Sequence, residues 1–128
     1  MNELELAIQR AVAAQGNNKE ANKAYLEFIK ANFIIPVENN ALREEPRVLY
    51  LHEDEQVFLP VFTSMVYLDL WAKEIKDKIQ LLKLSGVDLL KGLGQGVIVS
   101  LNIGSDLYKE FNSAELQRMQ SMVLKLFK

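Results

Sequence analysis

The chain has 128 residues, with 15 lysines and arginines against 17 aspartates and glutamates, and no cysteine. A net charge of −2 supplies no field to draw in nucleic acid or an anionic lipid surface. The lack of thiols excludes disulfides, thiolate nucleophiles and cysteine-ligated metals. At 49% hydrophobic and 25% charged residues, the composition predicts one globular domain over residues 1–128, able to bury roughly two thirds of the surface of its unfolded form. The opening Met1-Asn2-Glu3-Leu4-Glu5 is acidic and no run approaches the ~20 apolar residues of a membrane span. The expectation is a cytoplasmic protein with no membrane contact, no nucleic-acid partner and no cofactor.

Leu4, Ile8, Ala11 and Val12 recur at helical spacing, and Asn2 with Glu5 forms a capping pair before them. Gly16 and Asn17 end that helix. Asn17 with Glu20 opens a second, with Ala21, Ala24, Tyr25, Phe28 and Ile29 as its stripe, so a helical hairpin is predicted. Phe33-Ile34-Ile35-Pro36-Val37 reads as a first strand, and the polar stretch 38–46 as a loop too short to separate domains. Residues 47–52 and 56–63 form two strands around the turn His52-Glu53-Asp54-Glu55. Within the second, Val57, Leu59 and Val61 alternate with Phe58, Pro60 and Phe62, which predicts a strand covered on both faces. Pro60 has no N–H, so the strand lies at an edge, carries a bulge, or places that position where no donor is required.

Thr63 or Ser64 can cap a third helix, with Leu68, Trp71, Ala72 and Ile75 on its apolar side. Residues 79–84 fit the end of that helix or a further strand. Strand is preferred, because Ser85 and Asp88 then cap a short helix running to Leu93. The β-branched run 97–101 is a strand, and Asn112 with Glu115 opens a final helix carrying Leu116, Met119, Val123 and Phe127 on one face. The fold class is α+β: an antiparallel or mixed sheet of about five strands, with helices from both ends of the chain packed on it.

The leading helical pair, the strand ending in Pro36-Val37, the segment Phe58-Leu59-Pro60-Val61-Phe62-Thr63-Ser64 feeding a helix that bears Trp71, and the run 97–101 followed by Asn102-Ile103-Gly104-Ser105 together resemble the N-terminal domain of the SseB family, the enhanced serine sensitivity proteins. The resemblance extends over about residues 4–127. Family members commonly carry proline where Ile103 stands, and many continue into a second, C-terminal domain. The resemblance implies a fold and not a reaction: the family name records a serine-related phenotype, no biochemical activity is established, and no catalytic residues carry over.

Chemistry-bearing motifs are few. His52-Glu53-Asp54-Glu55 places one imidazole beside three carboxylates, but consecutive turn residues diverge and a solvated turn explains them. Gly92-Leu93-Gly94-Gln95-Gly96 follows a helix and opens a strand, the reverse of a dinucleotide fingerprint, and reads as a helix stop. The serines have only one histidine in the chain to activate them, so no hydrolytic site is predicted and no metal site is assigned. Phe62, Tyr67 and Trp71, with Met65, are aromatic or soft side chains that either fill a core or anchor a protein. The expected function is a non-enzymatic protein-interaction or adaptor domain, acting on an unidentified protein partner or on a second copy of itself. The candidate binding residues are Pro60, Phe62, Thr63, Ser64, Tyr67, Trp71 and Asn102. The alternative is a sensor domain holding an amino acid or carboxylate near Thr63, Ser64 and Asn102.

Overall fold

In a computed structural model of the chain, residues 3–13, 18–38 and 48–126 are described. Asn2, Gly16, Asn17, the Val12 side chain, loop residues 39–46, Arg47 and Phe127, to which the sequence assigns roles, lie outside them.

Helices α1 (Glu3–Ala13) and α2 (Asn18–Lys30) pair as the expected hairpin and are followed by strand β1 (Asn32–Glu38). Strands β2 (Leu51–Glu53) and β3 (Gln56–Val61) form a hairpin and lead to α3 (Met65–Ala72). A 3-10 turn at Lys76–Lys78 enters β4 (Ile79–Ser85), which settles the ambiguous segment as strand. After it come α4 (Gly86–Gly92), β5 (Val97–Leu101), β6 (Lys109–Phe111) and α5 (Ser113–Leu126). The sixth strand, β6, is beyond the expected count, and the α+β class holds. No helix among the described residues is long and apolar enough to cross a membrane.

One sheet has the order β2-β3-β5-β6, with β3 and β5 parallel and the outer pairs antiparallel; β1 and β4 form a separate antiparallel pair. The two are stitched together by bridges from Ile34 to Phe62 and from Val37 to Val48. The position of Pro60 follows from this arrangement. Val61 presents its carbonyl to β5, accepting from the Asn102 N–H at 2.8 Å, whereas Phe62 exchanges both its backbone bonds with Ile34. Backbone groups alternate sides along a strand, so Pro60 points the same way as Phe62. There it falls in the gap between the Leu51–Phe58 pair and the Ile34–Phe62 bridge, where no N–H is needed. Of the three expectations for Pro60 this is the last, and β3 is an interior strand.

The alternation of the strands divides the core in two. Phe33 and Ile35 of β1, Leu59 and Val61 of β3, and Val99 and Leu101 of β5 face the main core, which α1, α2, α4 and α5 cover. Phe28 is its hub, packing at 4.6 Å between ring centroids on Phe33 and at 5.0 Å, edge on, against Phe111. Each such fully buried side chain contributes roughly 1.5–3 kcal/mol relative to exposure. Ile34, Phe62 and Ile79 face the other way and build a smaller core under α3 with Leu68 and Ala72.

The local capping chemistry matches the sequence at two helices and departs from it at one. Asn112 and Glu115 make a reciprocal capping box at α5: Oδ1 of Asn112 accepts from the Glu115 N–H at 2.9 Å, and Oε1 of Glu115 accepts from the Asn112 N–H at 3.3 Å. Ser85 Oγ accepts from the Asp88 N–H at 3.1 Å to cap α4. Ser64 occupies the cap position of α3, but its side chain makes no cap bond, and the Thr63 hydroxyl is turned to other partners. Gly86 is fixed by space: a Cβ there would sit 2.0 Å from the Phe28 carbonyl oxygen, and its N–H bonds the Ala31 carbonyl at 2.8 Å.

Candidate functional site

The parallel strands β3 and β5 end side by side, and a residue just past each, Thr63 two beyond Val61 and Asn102 one beyond Leu101, meets the other. Asn102 Oδ1 accepts from the Thr63 N–H at 3.0 Å, and Asn102 Nδ2 donates to Thr63 Oγ1 at 3.0 Å. Thr63 Oγ1 in turn donates to Oε1 of Glu5 at 3.1 Å. A chain of polarised bonds therefore runs from the amide through the hydroxyl to a carboxylate on the first helix. Each link strengthens the next in an interior where water competes little.

The residues of this chain are held by different devices. Asn102 is fully buried with φ of +53°, in the left-handed region that asparagine tolerates better than most residues. Its carbonyl accepts from both the N–H (3.1 Å) and the hydroxyl (2.8 Å) of Ser105, closing a tight turn in which Gly104 has φ of +84°. Ile103 stands within that turn and packs into the smaller core. Glu5 is 6% exposed. Helix α1 carries it inward beside Leu4 and Ile8, so a carboxylate sits on an otherwise apolar face. The Tyr67 hydroxyl has its pKa raised, first by burial and then by the negative charges of Glu5 and Asp106.

The seven candidate residues separate into two groups and two single positions. Thr63 and Asn102 come together with Glu5, a partner that the sequence reading missed. The signal for Glu5 was an acidic residue between Leu4 and Ile8, on the side of α1 that should be apolar. Phe62, Tyr67 and Trp71 gather in the smaller core, the Phe62 and Trp71 rings 5.5 Å apart. Pro60 is buried in the strand and Ser64 starts α3. A carboxylate placed against Thr63 and Asn102 would meet the charge of Glu5 and would have to displace bonds already made.

The surface of α3 tells a different story. Leu68 and Ala72 are buried beneath it, while Met65, Val66 and Leu70 stand 39%, 66% and 52% exposed. Asp69 is the one charged residue in the helix, and its carboxylate pairs with Lys76 at 3.0 Å. Val66 and Leu70 escaped the sequence reading, although a helix written Met-Val-Tyr-Leu-Asp-Leu-Trp-Ala has more apolar residues than one buried face can use. Beside α3, β4 pairs with β1 along one edge only among the described residues, and its Leu81 is 41% exposed.

His52 and Glu53 belong to β2, paired with Val57 and Gln56, so the turn expected over all four residues is only Asp54 and Glu55, both at positive φ; all four side chains are exposed. Among the described residues no cluster of histidine and carboxylate groups is arranged to hold a metal ion.

No curated protein and no solved structure matches the chain. The family model described as the SseB protein N-terminal domain matches residues 4–118, nearly the full length, and so the chain belongs to that family.

Proposed function

We propose that this domain is a non-enzymatic protein-interaction module that docks a partner through the outward face of α3. The observation that supports this reading is the exposure of three large apolar side chains, Met65, Val66 and Leu70, on one eight-residue helix. Such side chains scattered singly need no explanation, but clustered on one short element they mark a contact surface. The edge of β4 that no described strand pairs lies next to the same smaller core, to which β4 gives Ile79, and Leu81 widens the surface there. The module works in the cytoplasm and meets neither nucleic acid nor membrane, in keeping with its net charge of −2 and its lack of cysteine. A carboxylate sensor at Thr63, Ser64 and Asn102 is disfavoured, because Glu5 holds that position with a like charge.

The double variant Val66→Glu, Leu70→Glu changes side chains that are 66% and 52% exposed and should leave the fold intact, which circular dichroism and a thermal melt check. Wild-type protein should capture a partner from lysate of the source organism, or self-associate by light scattering, and the double variant should lose that association. Leu124→Glu, on a still more exposed leucine of α5, should keep it. Association that is indifferent to the α3 charges would remove the proposal, as would a strict monomer that captures nothing.

A further inference from the structure

Among the described residues, the helical hairpin does not fill the space it roofs. Between α1 and α2 on one side and β6 and the start of α5 on the other lies a cavity of about 190 Å3. Its wall is apolar, made by Ile8, Ala11, Ala21, Ala24 and Phe111. Three of these are alanines, and it is their short side chains that leave the gap; interiors are otherwise packed to crystal density. An apolar void of roughly 150 Å3 stays dry and takes up a benzene-sized guest. The space here therefore suits a hydrocarbon group and not a cluster of water.

The mouth is polar and carries Tyr25, Lys109 and Glu115. Glu115 is already engaged by three donors: the Asn112 N–H, the Tyr25 hydroxyl at 2.9 Å and the Lys109 ammonium at 3.3 Å. An incoming ammonium would gain little there. The cations have more to offer. Lys109 lies 5.2 Å from the centre of the Phe111 ring, and the Arg118 guanidinium 5.8 Å from that of Tyr25. Of the two only Lys109 lines the mouth, and its ammonium, with three N–H donors, has capacity left after its one ion pair to Glu115.

We propose that the cavity binds a small monocarboxylate with a branched aliphatic tail, the tail against the alanines of α1 and α2 and the carboxylate at Lys109. This site is independent of the α3 surface and stands or falls without it. The size of the space limits the tail to about six carbons.

The probe is 4-methylpentanoate, with 4-methylpentan-1-ol and 4-methylpentylamine as partners of equal tail and different head. Binding to the native state raises the melting temperature in step with ligand concentration. The carboxylate should do so, saturating by about 10 mM, and should bind at least about tenfold more tightly than the alcohol or the amine. Lys109→Gln, at an accessible side chain, should weaken the carboxylate by about tenfold and leave the alcohol unchanged. Ala21→Leu should fill the cavity, raise the melting temperature of the unliganded protein and abolish the response to all three. Should that variant fail to fold, Lys109→Gln and the three-way head-group comparison decide the matter alone. A flat response to the carboxylate overturns the proposal, as does equal or tighter binding of the amine or the alcohol, or carboxylate binding that Lys109→Gln leaves intact.

Discussion

Asn102 does two jobs that few residues can do together. Its backbone turns in the left-handed region, and its buried amide bonds both the N–H and the hydroxyl of Thr63. Alanine would fail at both. It would strand the Thr63 N–H without an acceptor, at a cost of about 1–3 kcal/mol, and would add about 1 kcal/mol of backbone strain. Asn102→Ala should therefore lower stability by ~2–4 kcal/mol in urea melts, and Asn102→Gly, free of the strain, by about 1 kcal/mol less. Equal losses for the two would mean that the left-handed turn is not what selects asparagine. Both members of the Thr63–Asn102 pair were legible in the chain, because each is a small polar residue placed just after an apolar strand. That they bond each other was not legible, since it depends on β3 and β5 lying parallel and in register. Glu5 was readable only as an anomaly, an acid on an apolar stripe, and its partner is 58 residues away.

At the scale of elements, the periodicity of apolar residues carried most of the fold: the striped helices and the long strands stand close to where that spacing puts them, although α3 ends at Ala72, short of the Ile75 assigned to its stripe, and the capping pairs at Ser85 and Asn112 fix two helix starts. Two failures share a physical cause. Strand β6 is three residues long, too short for alternation to register, and exists because Phe111 and Lys109 find Val99 and Leu101 opposite them. The Thr63-Ser64 pair has the composition of a cap, yet tertiary partners claim the threonine and the serine makes no cap bond. The two serines at helix starts should consequently respond differently. Ser85→Ala should cost ~1 kcal/mol through the lost bond to the Asp88 N–H, and Ser64→Ala less than about 0.5 kcal/mol. Denaturation midpoints of the two single variants, compared with wild type, measure this directly. A loss at Ser64 as large as that at Ser85 would contradict the distinction.

The whole molecule is closed by contacts between the two ends of the chain. Helix α2 and helix α5, far apart in sequence, meet through the Tyr25 hydroxyl, which donates to Glu115 Oε2 at 2.9 Å beside the Lys109 ammonium. Tyr25 also packs its ring against Phe111, 6.4 Å away, so the bond sits on the rim of the main core. Burial is the first cause of the raised Tyr25 pKa, followed by its bond to Glu115 and the charge of that carboxylate; together they push it from an ordinary value near 10 to about 12. The consequence for stability has a definite sign. The unfolded chain releases this proton near pH 10 and the folded protein holds it to about 12. The contribution is therefore complete below pH 10 and is lost as the pH rises towards 12. Tyr25→Phe removes the titrating group and the bond together. At neutral pH it should be less stable than wild type by about 1 kcal/mol, and the gap should narrow between pH 10 and 12 as the wild type loses what the variant never had. Tyr108, also raised to about 12 by burial and by its bond to Glu110, titrates in the same range, so both proteins should carry Tyr108→Phe as a common background. Urea melts across pH 7–12 would test the account, and a gap that stays constant over that range would show that the Tyr25–Glu115 bond does not couple the chain ends through this proton.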